Sequence, residues 1–145
     1  MEESTTKIGI IGTGSIADKS HAPAIKEIPG AELVAVLSRE EARGKEFLTK
    51  HNFPDATVHT SLERFVSDPN IDLAIICSPD RLHAAQAASC LEAGKHVLLE
   101  KPMTTSLEEA EMLVKLANEK NLTLAEAYWN LDHFVVLKKV KSPSY

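Results

Sequence analysis

No run of the 145-residue sequence approaches the ~20 consecutive apolar residues that crossing a bilayer requires. The opening residues, Met1-Glu2-Glu3-Ser4, are acidic and polar, unlike the basic start of a secretory leader. Cysteine is scarce. Cys77 closes an apolar run and Cys90 lies in an alanine-rich stretch, so both read as buried free thiols. Together these features point to a reducing, cytoplasmic setting. A basic excess is also missing: 16 Lys and Arg stand against 21 Asp and Glu, a formal charge of -5. That balance argues against a nucleic-acid partner held by its phosphates. There is no internal repeat and no low-complexity segment. The six histidines and two cysteines show no zinc-ligand spacing, so no metal is expected.

What the chain has is core-forming material, with 43% hydrophobic residues in a length that suits one domain. Short apolar runs at Lys7–Gly12, Ala31–Leu37 and Ile71–Cys77 read as buried strands, with His96–Leu99 and Thr123–Tyr128 after them and a weak strand at Val58-His59. Helical stretches lie between. One runs from about Ser15 to Ile28 and stops at Pro29-Gly30. Ser38 with Glu41, Thr60 with Glu63, and Ser106 with Glu109 have capping-box spacing. Asp80 is the expected N-cap of a helix ending at Gly94. The last helix should bury Leu107, Ala110, Val114 and Ala117. Strands apolar on both sides, alternating with helices, predict an α/β fold: a doubly wound parallel sheet in the order 3-2-1-4-5-6. The expected divisions are a flexible start over residues 1–6, a dinucleotide-binding domain over 7–130, and an atypical short segment over 131–145 whose end, Ser142–Tyr145, frays.

Gly12-Thr13-Gly14-Ser15-Ile16-Ala17 matches G-x-G-x-x-A directly after the first strand and at the opening of the first helix. Gly12 permits a tight turn, Gly14 lets the backbone approach a pyrophosphate, and Ala17 keeps the helix close to the sheet. The free N–H groups and dipole at that helix start favour an anion. A glycine turn can also be a mere connector, but the strand–helix context favours the cofactor reading. An NAD site usually has a carboxylate at the end of the second strand. Here that place reads Leu37-Ser38-Arg39. Arg39 can pair with a 2′-phosphate and Ser38 can donate to it, which favours NADP over NAD. The alternatives are that Ser38 and Arg39 only serve the helix start, or that Glu40 or Glu41 turns inward and selects NAD.

Ser78-Pro79-Asp80 with His83 beyond it, then Ala93-Gly94-Lys95-His96-Val97 and Glu100-Lys101-Pro102, complete a set of motifs. With the glycine turn, their spacing resembles the glucose-fructose oxidoreductase and inositol dehydrogenase family (Gfo/Idh/MocA) over roughly Lys7 to Tyr128. Lys101 follows a buried strand at its carboxyl end, where open α/β sheets bind ligands. Its ammonium can hydrogen-bond a substrate hydroxyl and exchange a proton with it. The resemblance implies that role for Lys101 during hydride transfer, with a sugar, cyclitol or related polyol as substrate. It also implies a possible cis bond before Pro102, and a Ser78-Pro79 loop packed on the ribose and nicotinamide. Glu100 orients either the ribose or Lys101. His83, near a helix N-terminus where imidazole tends to stay neutral, either contacts substrate or cofactor or is satisfied within its own turn. His21 shapes its helix. A bare Glu–Lys pair in a proline turn is the plainer alternative for the motif.

The resemblance weakens after Tyr128. Relatives carry an arginine-containing element leading into a larger sheet with an Asp-x-x-x-His pair, whereas here Glu126-Ala127-Tyr128-Trp129-Asn130 precedes Leu131-Asp132-His133-Phe134 with Asp132 and His133 adjacent. The expectation is a cofactor domain with little or no turnover alone, either a truncated oxidoreductase or a stand-alone binding or interaction module. An S-adenosylmethionine domain is a third reading, which leaves Arg39 and the Glu-Lys-Pro motif unexplained. Association with a second copy is plausible at an uncovered sheet edge.

Overall fold

The computed structural model describes residues 5–129 and 135–139. Seven strands form one sheet: β1 (Thr6–Ile11), β2 (Ala31–Leu37), β3 (Thr57–His59), β4 (Leu73–Ile76), β5 (His96–Glu100), β6 (Leu124–Trp129) and β7 (Val135–Lys139). Their order is β3-β2-β1-β4-β5-β6-β7. The pairs from β3 through β6 are all parallel, as expected, in the doubly wound Rossmann arrangement. Thr6 belongs to β1, its N–H held 2.7 Å from the Gly30 carbonyl, rather than to a flexible start. Val135–Lys139, within the segment expected to be atypical, pairs antiparallel with β6. Asp132 and His133 lie outside the described residues, as does the tail Ser142–Tyr145.

The helices are α1 (Ala22–Glu27), α2 (Glu41–Lys50), α3 (Leu62–Val66), α4 (His83–Glu92) and α5 (Leu107–Glu119). Both faces of the sheet are covered, which is why its strands are continuously apolar. Successive residues point opposite ways. Ile10, Ile75 and Leu98 join Ile25, Phe47 and Leu48 of α1 and α2, while Ile11, Ile76 and Leu99 join Phe65, Leu91 and Leu113 of α3, α4 and α5. No helix among the described residues is long and apolar enough to cross a membrane.

Local signals succeeded where the side chain had a free N–H to serve. Ser106 caps α5, accepting from the Glu109 N–H at 3.2 Å. Gly94 closes the α4 turn at φ +81°. Two expected capping boxes do not form. Ser38 donates to the Glu40 carbonyl instead, leaving Glu40 at the start of α2, and Ser61 rather than Thr60 caps α3. Asp80 opens a single 3₁₀ turn, Asp80–Leu82, without capping it through its side chain. On α5 the buried residues are Leu113 and Ala117, whereas Leu107, the first residue of the helix, is 69% exposed.

The helix after β1 carries a feature that periodicity does not reveal. Ala17–His21 is a π-turn, closed by the Ala22 N–H on the Ala17 carbonyl five residues back. Such turns are frequent at functional sites.

Candidate functional site

Because β1, β2, β4 and β5 are parallel, their carboxyl ends gather along one edge of the sheet. Strand order reverses between β1 and β4, and open α/β sheets bind ligands in the crevice at that place. Gly12 has φ +92°, and a Cβ there would lie 3.2 Å from the Cys77 carbonyl carbon and oxygen and from the Ser78 nitrogen. Glycine is therefore required both by conformation and by the neighbouring β4 backbone. Its N–H donates to the Leu37 carbonyl at 2.9 Å, tying the ends of β1 and β2 together. A Cβ on Gly14, by contrast, would meet nothing within 4 Å. The backbone at Gly14 is thus open to close approach by a ligand. Helical hydrogen bonding begins only with the Asp18 N–H on the Gly14 carbonyl at 3.0 Å. The N–H groups of Thr13, Gly14, Ser15 and Ile16 precede it and have no acceptor in the helix. This is a cradle that fits a pyrophosphate.

At the end of β2, Arg39 is exposed and has no ion pair among the described residues. Ser38 is buried, and its one hydroxyl hydrogen goes to the Glu40 carbonyl at 2.9 Å. Glu41 is occupied by Lys45 one turn along α2 at 2.5 Å, which lowers its carboxyl below the ordinary range. It does not turn inward.

The β4 and β5 ends are joined by His83. Its Nδ1 lies 2.8 Å from the Pro102 carbonyl and its Nε2 2.9 Å from the Ser78 carbonyl. The residue is fully buried. Each ring nitrogen faces a backbone carbonyl, and the one that carries the hydrogen donates to it. His83 thus lies between the Ser78 and Pro102 loops. Ser78 is held further by Gln86, to whose amide oxygen it donates at 2.5 Å. Pro79 is exposed beside it.

Glu100 is buried, whereas Lys101 and Pro102 are exposed and joined by a cis bond. The Glu100 carboxylate makes no ion pair with Lys101. Its Oε1 lies 2.6 Å from His21 Nε2, a contact across the domain that sequence spacing could not show. Beyond Pro102, the Met103 N–H donates to Glu126 at 2.8 Å. Cys77 is half-buried rather than fully buried, and burial, with the Glu100 charge adding to it, pushes its thiol well above the ordinary range. Burial pushes the Cys90 thiol up to about 12, partly countered by Lys95. Neither thiol is activated for chemistry. Among the described residues no group of His, Cys, Asp or Glu could hold a metal.

The comparisons with known proteins agree with this geometry. Residues 6–128 match the family described as GFO_IDH_MocA, "Oxidoreductase family, NAD-binding Rossmann fold". The chain is 36% identical over 141 residues to scyllo-inositol 2-dehydrogenase (NADP(+)) IolW of Bacillus subtilis, covering 95% of this chain and 38% of that protein. It is also 36% identical over 127 residues to dTDP-3,4-didehydro-2,6-dideoxy-alpha-D-glucose 3-reductase of Saccharopolyspora spinosa, covering 88% and 37%. Among solved structures, KijD10, a 3-ketoreductase from Actinomadura kijaniata in complex with NADP and TDP-benzene, superposes with a TM-score of 0.80 at 32% identity, covering 85% of this chain and 37% of that one. The chain thus spans well under half the length of these relatives. Matched over residues 6–128, it belongs to the Gfo/Idh/MocA oxidoreductase family and carries that family's NAD-binding Rossmann domain.

Proposed function

We propose that this chain binds NADP(H) across the β1–β4 crevice and presents Lys101 for proton transfer in the oxidation or reduction of a sugar- or polyol-like substrate. The observation that carries the reading is the contrast between the two glycines. Gly12 is closed in by backbone, and Gly14, two residues on, faces open space at the start of a helix. Thr13, Gly14, Ser15 and Ile16 would hold the pyrophosphate through their N–H groups. Arg39 would pair with the 2′-phosphate. An exposed guanidinium has little to hold on a bare 2′-hydroxyl. The names of IolW and of the KijD10 complex, both of which include NADP, support the same preference.

When bound, the dinucleotide supplies or accepts the hydride. The chain's own contribution is to fix the loops around it. His83 lies between the Ser78 and Pro102 carbonyls, and Ser78-Pro79 and Lys101-Pro102 would line one crevice. Lys101, exposed at the end of β5, exchanges a proton with the substrate oxygen as the carbon changes oxidation state. Substrate must also be held at near-attack distance. The relatives' names point to cyclitol and nucleotide-sugar substrates.

Fluorescence titration with NADPH and NADH tests the reading. NADPH is expected to bind more tightly. Arg39→Ala is expected to weaken NADPH by about 10- to 150-fold, the scale of a lost charge-assisted hydrogen bond, with NADH unchanged. Equal or reversed affinities, or an Arg39→Ala variant with undiminished NADPH binding, would contradict it.

A further inference from the structure

His21 and Glu100 stand 79 residues apart in sequence, and each side chain is only 8% exposed. Neither belongs to the glycine cradle. They join two parts of the site. His21 closes the π-turn of the helix that opens after Gly14. Glu100 ends β5 and immediately precedes Lys101. The π-turn is also held from its other side, where Asp18 meets Lys50 at 2.7 Å and His51 at 2.8 Å near the end of α2. On the β5 side, the segment after Glu100 is fixed at the Pro102 carbonyl by His83 and at the Met103 N–H by Glu126. Lys101 is left as the exposed charge of that segment, with no ion pair among the described residues.

A buried carboxylate must have a partner. If His21 did not supply one, the closest cation along the chain would be the neighbouring Lys101. We propose that His21 is a positioning residue for Lys101: its hold on the Glu100 carboxylate keeps the adjacent ammonium unpaired and turned to the crevice, and ties it to the helix that opens at Gly14. The inference rests on the role proposed for Lys101. It adds a reason why the phosphate cradle and the proton-transferring group keep a fixed relation: the helix of one and the strand of the other share a buried hydrogen bond.

The test is competitive trace acetylation of the folded chain, reading Lys101 against Lys115 by mass spectrometry. In His21→Leu the freed carboxylate pairs with Lys101, and the Lys101/Lys115 ratio is expected to fall about threefold, the scale of an exposed ion pair. His21→Gln, which can still donate to Glu100, is expected to keep the original ratio. His21→Leu combined with Glu100→Gln is expected to restore it. A purely structural role for His21 predicts the opposite, since loosening raises lysine reactivity. An unchanged or raised ratio in folded His21→Leu overturns the proposal. A second measurement needs no folded variant of His21. After reductive ¹³C-dimethylation, Lys101, identified by the signal lost in Lys101→Arg, is expected to give one averaged methyl resonance. Two resolved resonances, the mark of a paired ammonium, overturn the proposal as well. NADPH titration of the same samples is read separately. Failure of the unaltered chain to bind removes the cofactor reading and leaves the labelling result standing.

Discussion

Gly12 and Cys77 pass so close that a Cβ on Gly12 would sit 3.2 Å from the Cys77 carbonyl, while Gly14 has nothing within 4 Å of its own Cβ position. The two glycines therefore separate folding from binding. Gly12→Ala is expected to destabilise the domain by about 1–3 kcal/mol through backbone strain at positive φ, lowering both the urea midpoint and NADPH affinity. Gly14→Val is expected to leave the urea midpoint nearly unchanged and to weaken NADPH at least about tenfold by filling the space for the pyrophosphate. A Gly14→Val chain that binds NADPH normally would contradict the cradle.

His83 makes a second separation. Replacing it with leucine removes the ring N–H donated to the Ser78 or the Pro102 carbonyl and sets both carbonyls against an apolar side chain. The loss of such a bond costs about 1–3 kcal/mol. His83→Leu is expected to lower the urea midpoint accordingly, and His83→Gln, which keeps one donor, to lower it less. Equal stability in all three chains would show that the clamp contributes nothing.

Acid sensitivity follows from Asp68. Burial pushes its carboxyl up, but the Asn70 N–H at 2.9 Å and His59 at 2.8 Å outweigh that, so the net shift is downward. A carboxyl lowered on folding contributes stability that is present above its unfolded value, near ~3.9, and is lost as pH falls through the folded value. Urea midpoints measured between about pH 5 and pH 3 are expected to fall less steeply in Asp68→Asn than in the unaltered chain. Parallel slopes would contradict the assignment.

Lys101 is exposed, so Lys101→Ala is expected to change stability by less than about 0.5 kcal/mol. The chain spans 38% of IolW, and holding a substrate carbon over the nicotinamide requires more than one lysine. The 145-residue chain is therefore expected to show little reduction of NADP in a panel of sugars and polyols. Robust turnover that disappears in Lys101→Ala would contradict this and keep Lys101 as the proton-transferring group.

The sheet was legible because burial on both faces leaves continuous apolar runs, as in Ile8–Ile11 and Leu73–Ile76. The glycine turn was legible because its spacing reflects local backbone geometry. Side-chain partners were less so. Ser38 read either as a cap of α2 or as a donor to a phosphate, and its hydroxyl instead donates to the Glu40 carbonyl. Spacing alone left His83 open between a ligand contact and a local hydrogen bond, and its approach to the Pro102 carbonyl, 19 residues on, is a tertiary contact. The His21–Glu100 contact depends on a π-turn and on a tertiary approach, neither of which leaves a mark in apolar periodicity.

The most direct measurement is a map of backbone amide shifts on adding NADP⁺ to the ¹⁵N-labelled chain. The largest changes are expected at Gly12–Ile16, Arg39, Ser78 and Lys101, at the carboxyl ends of the strands. The opposite end of the sheet carries an open depression of about 510 Å³ lined by residues including Pro69, Gly94 and Lys95. Changes confined to that end, or no changes at saturating NADP⁺, would contradict binding in the β1–β4 crevice.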